Sequence, residues 1–385
     1  MKITQVISDT NIGGAGVLLA SVVSALKNDF EFEIILPRAS LLSTRFPAQV
    51  RVTELGVKGD RSLSLSDVTT FASHFRKSRP DIIHTHASLS ARLAARLSCD
   101  AACFSTRHCS KPSHSITRFN AAQRALYNFS TDITISTADY ATDNLIREGV
   151  PAQRIITIKN GSPDLSEDNT GTDIISRKSL GLGANTLLIG SVARLEKVKG
   201  QDVILRSAPK ILSRFPNAHF LFLGEGSMRE EYKRLSANLG IEKQVTFFGF
   251  AENPKAYQRL FFLNVNASRG TETSCLATSE CLSLGIPTVA SDFGGNTEMI
   301  KDMENGLIFP SDNPHALSEC IIRLIRDRAL YKNLCLGARK SYLELFSLGK
   351  MAQKYRTLYS LTERTRKSGK RNYISEIYRT MSRST

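Results

Sequence analysis

The stretch TLLIGSVARLEKVKGQDVILRSAPKILSRFPNAHFLFL, residues 186–223, decides the fold. It opens on an apolar run near 186–192 and passes through a loop holding Arg194 and Lys199. A helical pattern follows over 200–213, and a second apolar run closes it near 218–223. Two β-like runs joined by one helix form a βαβ unit, and strands joined in that way are parallel. The alternation continues downstream, with strands near 244–248, 263–267, 287–290 and 306–308. Helices fall near 228–239, 254–260, 275–284 and 314–327, and further helical patterns occupy 330–345 and 348–362.

Upstream the same rhythm holds. Strands fall near 2–8, 32–36, 51–55, 81–85, 102–106, 132–136 and 155–158, and helices near 16–27, 66–78, 88–98, 115–129 and 138–148. Only the polar, turn-rich segment 161–173 breaks the alternation, so it reads as a linker. The expected fold is α/β, with two Rossmann-like domains facing a central cleft, over 1–165 and 174–345. Ligands of such sheets bind at the carboxyl ends of the strands.

Composition agrees with this and removes several classes. The chain has 385 residues, 41% of them hydrophobic, which suits two domains and excludes a mainly disordered chain. No apolar run approaches the roughly 18 residues that span a bilayer. The first residues lack a basic segment followed by an apolar one, so neither secretion nor membrane spanning is expected. Seven cysteines, an odd number in a large chain, read as reduced thiols of a cytoplasmic protein. Cys99, Cys103, His108 and Cys109 cluster, but no second pair follows at zinc-ligand spacing, so buried thiols are the favoured reading.

The net charge of +15 is local. Residues 74–124 hold nine Lys and Arg against Asp81 and Asp100, and residues 363–385 hold seven against Glu363 and Glu376. A basic face suits nucleic acid, anionic lipid or a phosphorylated substrate. No nucleic-acid signature is present, so no nucleic-acid partner is expected. In the tail 363–385, Ile374, Ile377, Tyr378 and Met381 make an apolar stripe between basic flanks. The stripe fits a membrane surface, or equally a terminal helix packed on its own domain. Ile116, Phe119, Leu126 and Phe129 lie similarly among Arg118 and Arg124.

Three segments carry chemistry. The first loop contains Gly13, Gly14 and Gly16, and such glycines let backbone amides approach an anion at a helix N-terminus. Leu19 stands where a dinucleotide fingerprint needs its third glycine, and no Lys-Ser/Thr follows for a P-loop. In the second segment, Arg194 and Lys199 flank a short loop and can clamp a diphosphate. In the third, Glu272 precedes a helix and Glu280 lies in its second turn, so both carboxylates can face one pocket. Thr273 or Ser274 is the expected N-cap. The amides of Ser274, Cys275 and Leu276 would then favour a phosphate.

Together these residues resemble the GT-B glycosyltransferases of the retaining family 4. Glu272 and Glu280 match the family's E-x7-E motif. Gly190, Arg194, Lys199 and Gly200 match its G-x3-R-x4-K-G element, and Asn160-Gly161, Gly224, Gly226 and Arg229 match further motifs. Pro80 to His86, and Gly294-Gly295 with Glu298, also resemble family segments. Thr273-Ser274-Cys275 departs from the pattern, where many members have Gly, an aromatic and Pro.

The resemblance implies a donor that is a nucleoside-diphosphate sugar and an acceptor that is a glycan or a lipid-linked glycan. Arg194 and Lys199 would hold the diphosphate, Glu280 the ribose hydroxyls and Glu272 the sugar. His108 would lie near the transferred sugar, and Gly14 would shape the first-domain side of the cleft. The helix 346–362 would cross back to the first domain, and the tail 363–385 would fit neither domain. No Asp-x-Asp occurs, so no metal and no other cofactor is expected. The implied protein is cytoplasmic, peripheral on the inner face of the cytoplasmic membrane, and builds cell-surface glycan. The alternatives are a sugar-nucleotide epimerase on the same fold and a non-catalytic sugar-nucleotide-binding homologue.

Overall fold

The computed structural model describes residues 1–59, 61–110, 115–167, 175–270, 272–367 and 373–382. It divides into two compact units, Met1–Gly161 with Leu348–Thr385, and Ser162–Ser347.

The first unit holds β1 (Lys2–Ile7), β2 (Glu31–Pro37), β3 (Arg51–Leu55), β4 (Ile82–His86), β5 (Ala102–Arg107), β6 (Ile133–Ser136) and β7 (Ile155–Thr157). They form one parallel sheet in the order β3-β2-β1-β4-β5-β6-β7. Helices α1 (Gly14–Leu26), α2 (Leu65–Ser78), α3 (Leu89–Ser98), α4 (Ala121–Ser130) and α5 (Asp139–Glu148) connect the strands. The strand order reverses between β1 and β4, which is where a doubly wound sheet opens a crevice at its carboxyl end. Covered on both faces, the strands bury continuous apolar runs such as Ile34, Ile35 and Leu36. The helix expected over 115–129 starts only at Ala121. The Asn120 side chain accepts from the Gln123 amide at 2.9 Å, and Gln123 Oε1 accepts from the Asn120 amide at 3.0 Å. That reciprocal cap fixes the start six residues late.

The second unit holds β8 (Leu187–Val192), β9 (Ala218–Leu223), β10 (Val245–Gly249), β11 (Leu263–Asn266), β12 (Thr288–Ser291) and β13 (Gly306–Phe309). Their order is β10-β9-β8-β11-β12-β13, again parallel, with the reversal between β8 and β11. The helices are α6 (Gln201–Leu212), α7 (Arg229–Asn238), α8 (Pro254–Gln258), α9 (Leu276–Ser283), α10 (Asn296–Met299), α11 (Pro314–Arg326) and α12 (Arg328–Ser341). Phe220, Phe222, Val265 and Phe309 of the sheet bury with Ile204 and Ile211 of α6 and Leu317 of α11. No helix among the described residues is long and apolar enough to cross a membrane.

Two expectations need correction. The first half of the presumed linker is structured within the second unit. Arg339 grips Asp164 through two bonds of 2.7 Å, the Ser162 amide donates to the Phe346 carbonyl at 3.0 Å, and Leu165 is buried. Asp164 is thus a fixed ion-pair partner, and polar composition alone did not reveal it. Residues 168–174 lie outside the described residues.

The basic tail is the second correction. Helix α13 (Leu348–Lys367) runs past 362, and α14 (Tyr373–Ser382) follows; both belong to the first unit. Ile377 and Met381 are buried there, so the stripe that fitted a membrane packs on the chain's own domain. Several arginines of the basic segment are also neutralised internally. Arg96 pairs with Asp132 at 2.5 Å, Arg107 with Glu148 at 2.8 Å, and Arg366 with Asp100 at 3.1 Å. Arg92 is buried with its guanidinium on Thr131 at 2.6 Å. Arg76, Lys77, Arg79, Arg118 and Arg124 stay exposed, while Lys111, Lys370, Arg371 and Arg383 lie outside the described residues.

Candidate active site

In the second unit the expected residues gather where the sheet order reverses. Arg194 follows β8, and Ser268 and Glu272 follow β11, the strand beside it. Lys199 Nζ lies 2.9 Å from Glu272 Oε2, and Ser268 Oγ donates to the same oxygen at 2.8 Å. Both side chains are largely buried, 16% exposed for Lys199 and 7% for Glu272. Burial pulls the Lys199 ammonium down, but the Glu272 carboxylate and its hydrogen bond, with Cys275, hold it above the ordinary lysine value. Arg194 is exposed and close enough to repel the Lys199 charge. Two cations of one loop therefore stand together, one anchored and one free to reach.

Glycine makes this packing possible. Gly200 has φ of +69°, and a Cβ there would sit 2.1 Å from the Ala267 carbonyl oxygen. Gly295 passes under the Glu272 segment: its amide donates to the Glu272 carbonyl at 3.2 Å, and a Cβ would fall 1.5 Å from the Thr273 carbonyl oxygen. A small cavity beside these residues is lined by Lys199, Asn264, Asn266, Glu272, Cys275 and Thr278.

Helix α9 begins at Leu276, with Cys275 as its N-cap residue and no side-chain cap. Neither Thr273 nor Ser274 caps it, which corrects the expectation; Ser274 Oγ instead contacts the Met299 sulfur at 3.8 Å. The Leu276 amide thus receives no side-chain acceptor from the N-cap. Glu280 sits in the second turn but does not line the cavity that Glu272 lines. It faces Lys255 and Gln258 of α8 instead. Burial pushes its carboxyl above the usual range, and those two groups pull the other way. The two glutamates therefore occupy different surroundings. Burial also pushes up the thiols of Cys275 and Cys281, which rules against nucleophilic roles at neutral pH.

In the first unit, Gly14 opens α1 after β1, and His108 follows directly on β5. A Cβ on Gly14 would meet nothing within 4 Å, whereas one on Gly16 would strike the Leu42 side chain at 2.4 Å. His108 Nε2 lies 2.7 Å from His86 Nδ1, and His86 Nε2 lies 3.1 Å from Gln5 Oε1. Gln5 Nε2 donates to the Tyr359 hydroxyl at 2.9 Å, Tyr359 meets His84 Nδ1 at 2.8 Å, and His84 Nε2 meets Thr106 Oγ1 at 2.7 Å. Burial lowers all three histidines, His84 to about 3 and His108 to about 4, so they are neutral.

No role is assigned to His84 or His86 from the sequence alone. The available signal was polar residues at positions of central parallel strands that are otherwise apolar: Gln5 of β1 pairs in register with His84, and His86 with Thr106. Among the described residues no group of three or more His, Cys, Asp or Glu is arranged to hold a metal ion, the Cys99–Cys109 cluster included.

Comparisons with known proteins agree with this architecture. A family profile described as Glycosyltransferase Family 4 matches residues 12–163, and one described as Glycosyl transferases group 1 matches 173–341. The N-acetyl-alpha-D-glucosaminyl L-malate synthase of Bacillus anthracis is 24% identical over 261 residues, 62% of this chain and 68% of that protein. Against two further curated relatives, from Methanocaldococcus jannaschii and Bacillus subtilis, the aligned part spans about half of their length, 47% and 51%. Among solved structures, a glycosyltransferase from Rickettsia africae superposes with a TM-score of 0.79 at 19% identity, covering 94% of this chain and 98% of that one. Anabaena HepE, solved in complex with UDP-glucose, does so with 0.78 at 20% identity, covering 94% and 100%. The chain belongs to the GT-B glycosyltransferases of family 4, with a Family 4 domain followed by a group 1 domain.

Proposed function

We propose that this protein is a retaining glycosyltransferase that moves a sugar from a nucleoside-diphosphate sugar to a hydroxyl of a glycan or lipid-linked glycan. The observation that carries the reading is the Lys199–Glu272 pair with Arg194 beside it, at the order reversal of the second sheet. Lys199 and Arg194 bind the donor diphosphate and stabilise the charge that grows on it as the glycosidic bond breaks. Glu272 accepts hydrogen bonds from the donor sugar, and Glu280 from the ribose. The bond between the anomeric carbon and the phosphate oxygen breaks, and the acceptor oxygen bonds to that carbon on the same face. The acceptor's proton goes to the departing phosphate. Lys199, anchored on Glu272, and the exposed Arg194 supply the positive charge, so no metal or other cofactor enters this scheme.

The open space at Gly14 supports close approach of a ligand to the first unit. HepE was solved with UDP-glucose, which supports a nucleotide-sugar donor here. The protein acts from the cytoplasm in cell-envelope glycan assembly. Its contact with anionic lipid lies at Arg118, Arg124, Leu126 and Phe129, all exposed on or beside α4.

A thermal-shift panel of nucleoside diphosphates and their sugars tests the donor. A ligand at 100 times its dissociation constant stabilises by about 2.7 kcal/mol. Absence of a shift with every nucleotide rejects the reading. An inverted anomeric centre in the product, seen by NMR, rejects retention. Interconversion of sugar nucleotides without an acceptor favours the epimerase, and nucleotide binding without any product favours the non-catalytic homologue.

A further inference from the structure

The segment that follows β11 reaches both members of the Lys199–Glu272 pair. Ser268 Oγ donates to Glu272. Arg269, the next residue, holds the turn that carries Lys199. Its backbone amide donates to the Val198 carbonyl at 2.9 Å, and its side-chain Nε donates to the Lys197 carbonyl at 3.0 Å. One residue thus caps two successive carbonyls of the Lys197–Lys199 turn. Within that turn the Lys199 amide donates to the Glu196 carbonyl at 2.8 Å. The guanidinium is itself held from two sides. Nη2 pairs with Asp202 of α6 at 2.8 Å, and Nη1 pairs with Asp312, which follows β13. Its planar fork joins one carbonyl and two carboxylates in set directions, which a lysine cannot do. Gly270 allows the close approach, because a Cβ there would fall 2.6 Å from the Val198 Cβ. An exposed arginine facing one carboxylate would be an ordinary surface pair of little consequence. Arg269 is only 20% exposed and has three anchors.

We propose that Arg269 is a positioning residue for the transfer: it fixes the Lys197–Lys199 turn, so that the Lys199 ammonium meets the donor diphosphate from its place on Glu272. This rests on the reading that Lys199 and Arg194 clamp that diphosphate. Arg269 itself lies outside the two motifs that carry the clamp and the glutamates, at 190–200 and 272–280. It acts through Lys199, since its own nitrogens are engaged with Asp202, Asp312 and the Lys197 carbonyl. The lysine side chain is long and flexible, so its charge is placed only as well as its backbone is. A charge already in place when the leaving phosphate develops its own needs no reorganisation at that moment. Displacing such a group by about 1 Å can cost about 100-fold in rate. Asp202 and Asp312 tie the turn, through Arg269, to α6 and to the loop after β13.

Titration calorimetry on the full chain tests this without turnover. The probes are the nucleoside diphosphate that gives the largest thermal shift and the monophosphate of the same base. Only the diphosphate has the phosphate that bears the sugar. Wild type should bind it more tightly than the monophosphate, and Arg194→Ala should reduce that preference. No preference in wild type, or an undiminished one in Arg194→Ala, rejects the diphosphate clamp and with it the role of Arg269. With the clamp present, Arg269→Gln should weaken the diphosphate about tenfold and leave the monophosphate within about twofold. A merely structural role would weaken both alike, so an equal loss, or none, overturns the proposal while the clamp stands. If Arg269→Gln does not fold, Arg269→Lys keeps the charge without the fork and should show the same selective loss; wild-type affinity in Arg269→Lys counts equally against it. In a Lys199→Met background, Arg269→Gln should bring no further loss, and an additive loss means that Arg269 does not act through Lys199.

Discussion

Lys199 Nζ sits 2.9 Å from Glu272 Oε2, with most of both side chains out of water. This bond separates two mutations that the sequence presents as equivalents. Lys199→Ala leaves a buried carboxylate without its cation, and breaking a buried pair in this way costs about 3–5 kcal/mol, toward the lower end with Lys199 partly exposed. Arg194→Ala removes an exposed guanidinium and should cost under about 0.5 kcal/mol. Both should lower turnover by about 100- to 1,000-fold if the loop clamps the departing diphosphate. Denaturation midpoints and steady-state rates measured side by side check this. Full activity in Arg194→Ala would falsify the clamp without any concern about folding.

Glu280 offers a trade between stability and binding. Burial raises its carboxyl above the usual value, so the folded chain holds that proton more tightly than the unfolded chain does. The stabilisation from protonation is present at low pH and is lost as pH rises through the folded value. Near neutrality the buried charge opposes folding. Glu280→Gln is therefore expected to raise the melting temperature of the ligand-free protein by a few degrees. It should also weaken binding of a nucleoside diphosphate by about tenfold, the cost of one hydrogen bond to a charged group. Calorimetry with and without nucleotide measures both, and a lower melting temperature would contradict the assignment of Glu280 as a buried charge under strain from desolvation.

Two glycines should respond to alanine in opposite ways. At Gly295 the new Cβ would fall 1.5 Å from the Thr273 carbonyl oxygen, so backbone must move and Glu272 must move with it. A loss of about 1–3 kcal/mol and of most activity is expected. At Gly14 nothing stands within 4 Å, and alanine in a helical first turn stabilises by about 0.4–1 kcal/mol through the unfolded state. If a ligand approaches there, Gly14→Ala keeps or gains stability while catalytic efficiency falls. Wild-type kinetics in Gly14→Ala would show that the open space beside it is unused.

The contrast between Glu280 and His86 shows how far the sequence could be read. The βαβ rhythm named the thirteen strands of the described residues within a residue or two, because parallel strands covered on both faces are apolar runs that cannot hide. Glu272, Lys199 and Arg194 were legible for a similar reason, since they fall in loops that the rhythm places at strand ends. What the sequence could not carry was long-range pairing. Asp164 looked like linker until Arg339, 175 positions away, was found on it. The tail stripe looked equally like a membrane face until Ile377 was found buried. Gln5, His86 and Tyr359 meet across 354 positions of chain, and no local pattern reports that.

Because α14 belongs to the first unit, removing 363–385 is expected to destabilise that unit rather than detach a silent anchor. Ile377→Ala alone should cost about 2–5 kcal/mol, as for other fully buried aliphatic side chains. The lipid test therefore moves to α4. Vesicle flotation at low and high salt should show binding to anionic but not neutral vesicles, and Arg118→Glu with Arg124→Glu should abolish it while the melting temperature holds. Unaltered flotation in that double variant removes α4 from the membrane contact.

Acid should weaken the first unit through its buried histidines. In the unfolded chain each takes up a proton near its ordinary value of 6.5, while in the folded chain His108 resists to about 4 and His84 to about 3. The folded state thus binds fewer protons between those limits. Its stability is full above 6.5 and falls as pH drops below that value, by about 1.4 kcal/mol per pH unit for each such histidine. Hydrogen-exchange protection of amides in β4 and β5 at pH 7 and pH 5 reads this locally, with β8 and β11 as the internal reference. Protection in β4 and β5 should fall the more steeply of the two, and His84→Gln should flatten that slope because a glutamine takes up no proton. Equal slopes in the two sheets would mean that the buried histidines do not govern the acid response, and that other groups carry it.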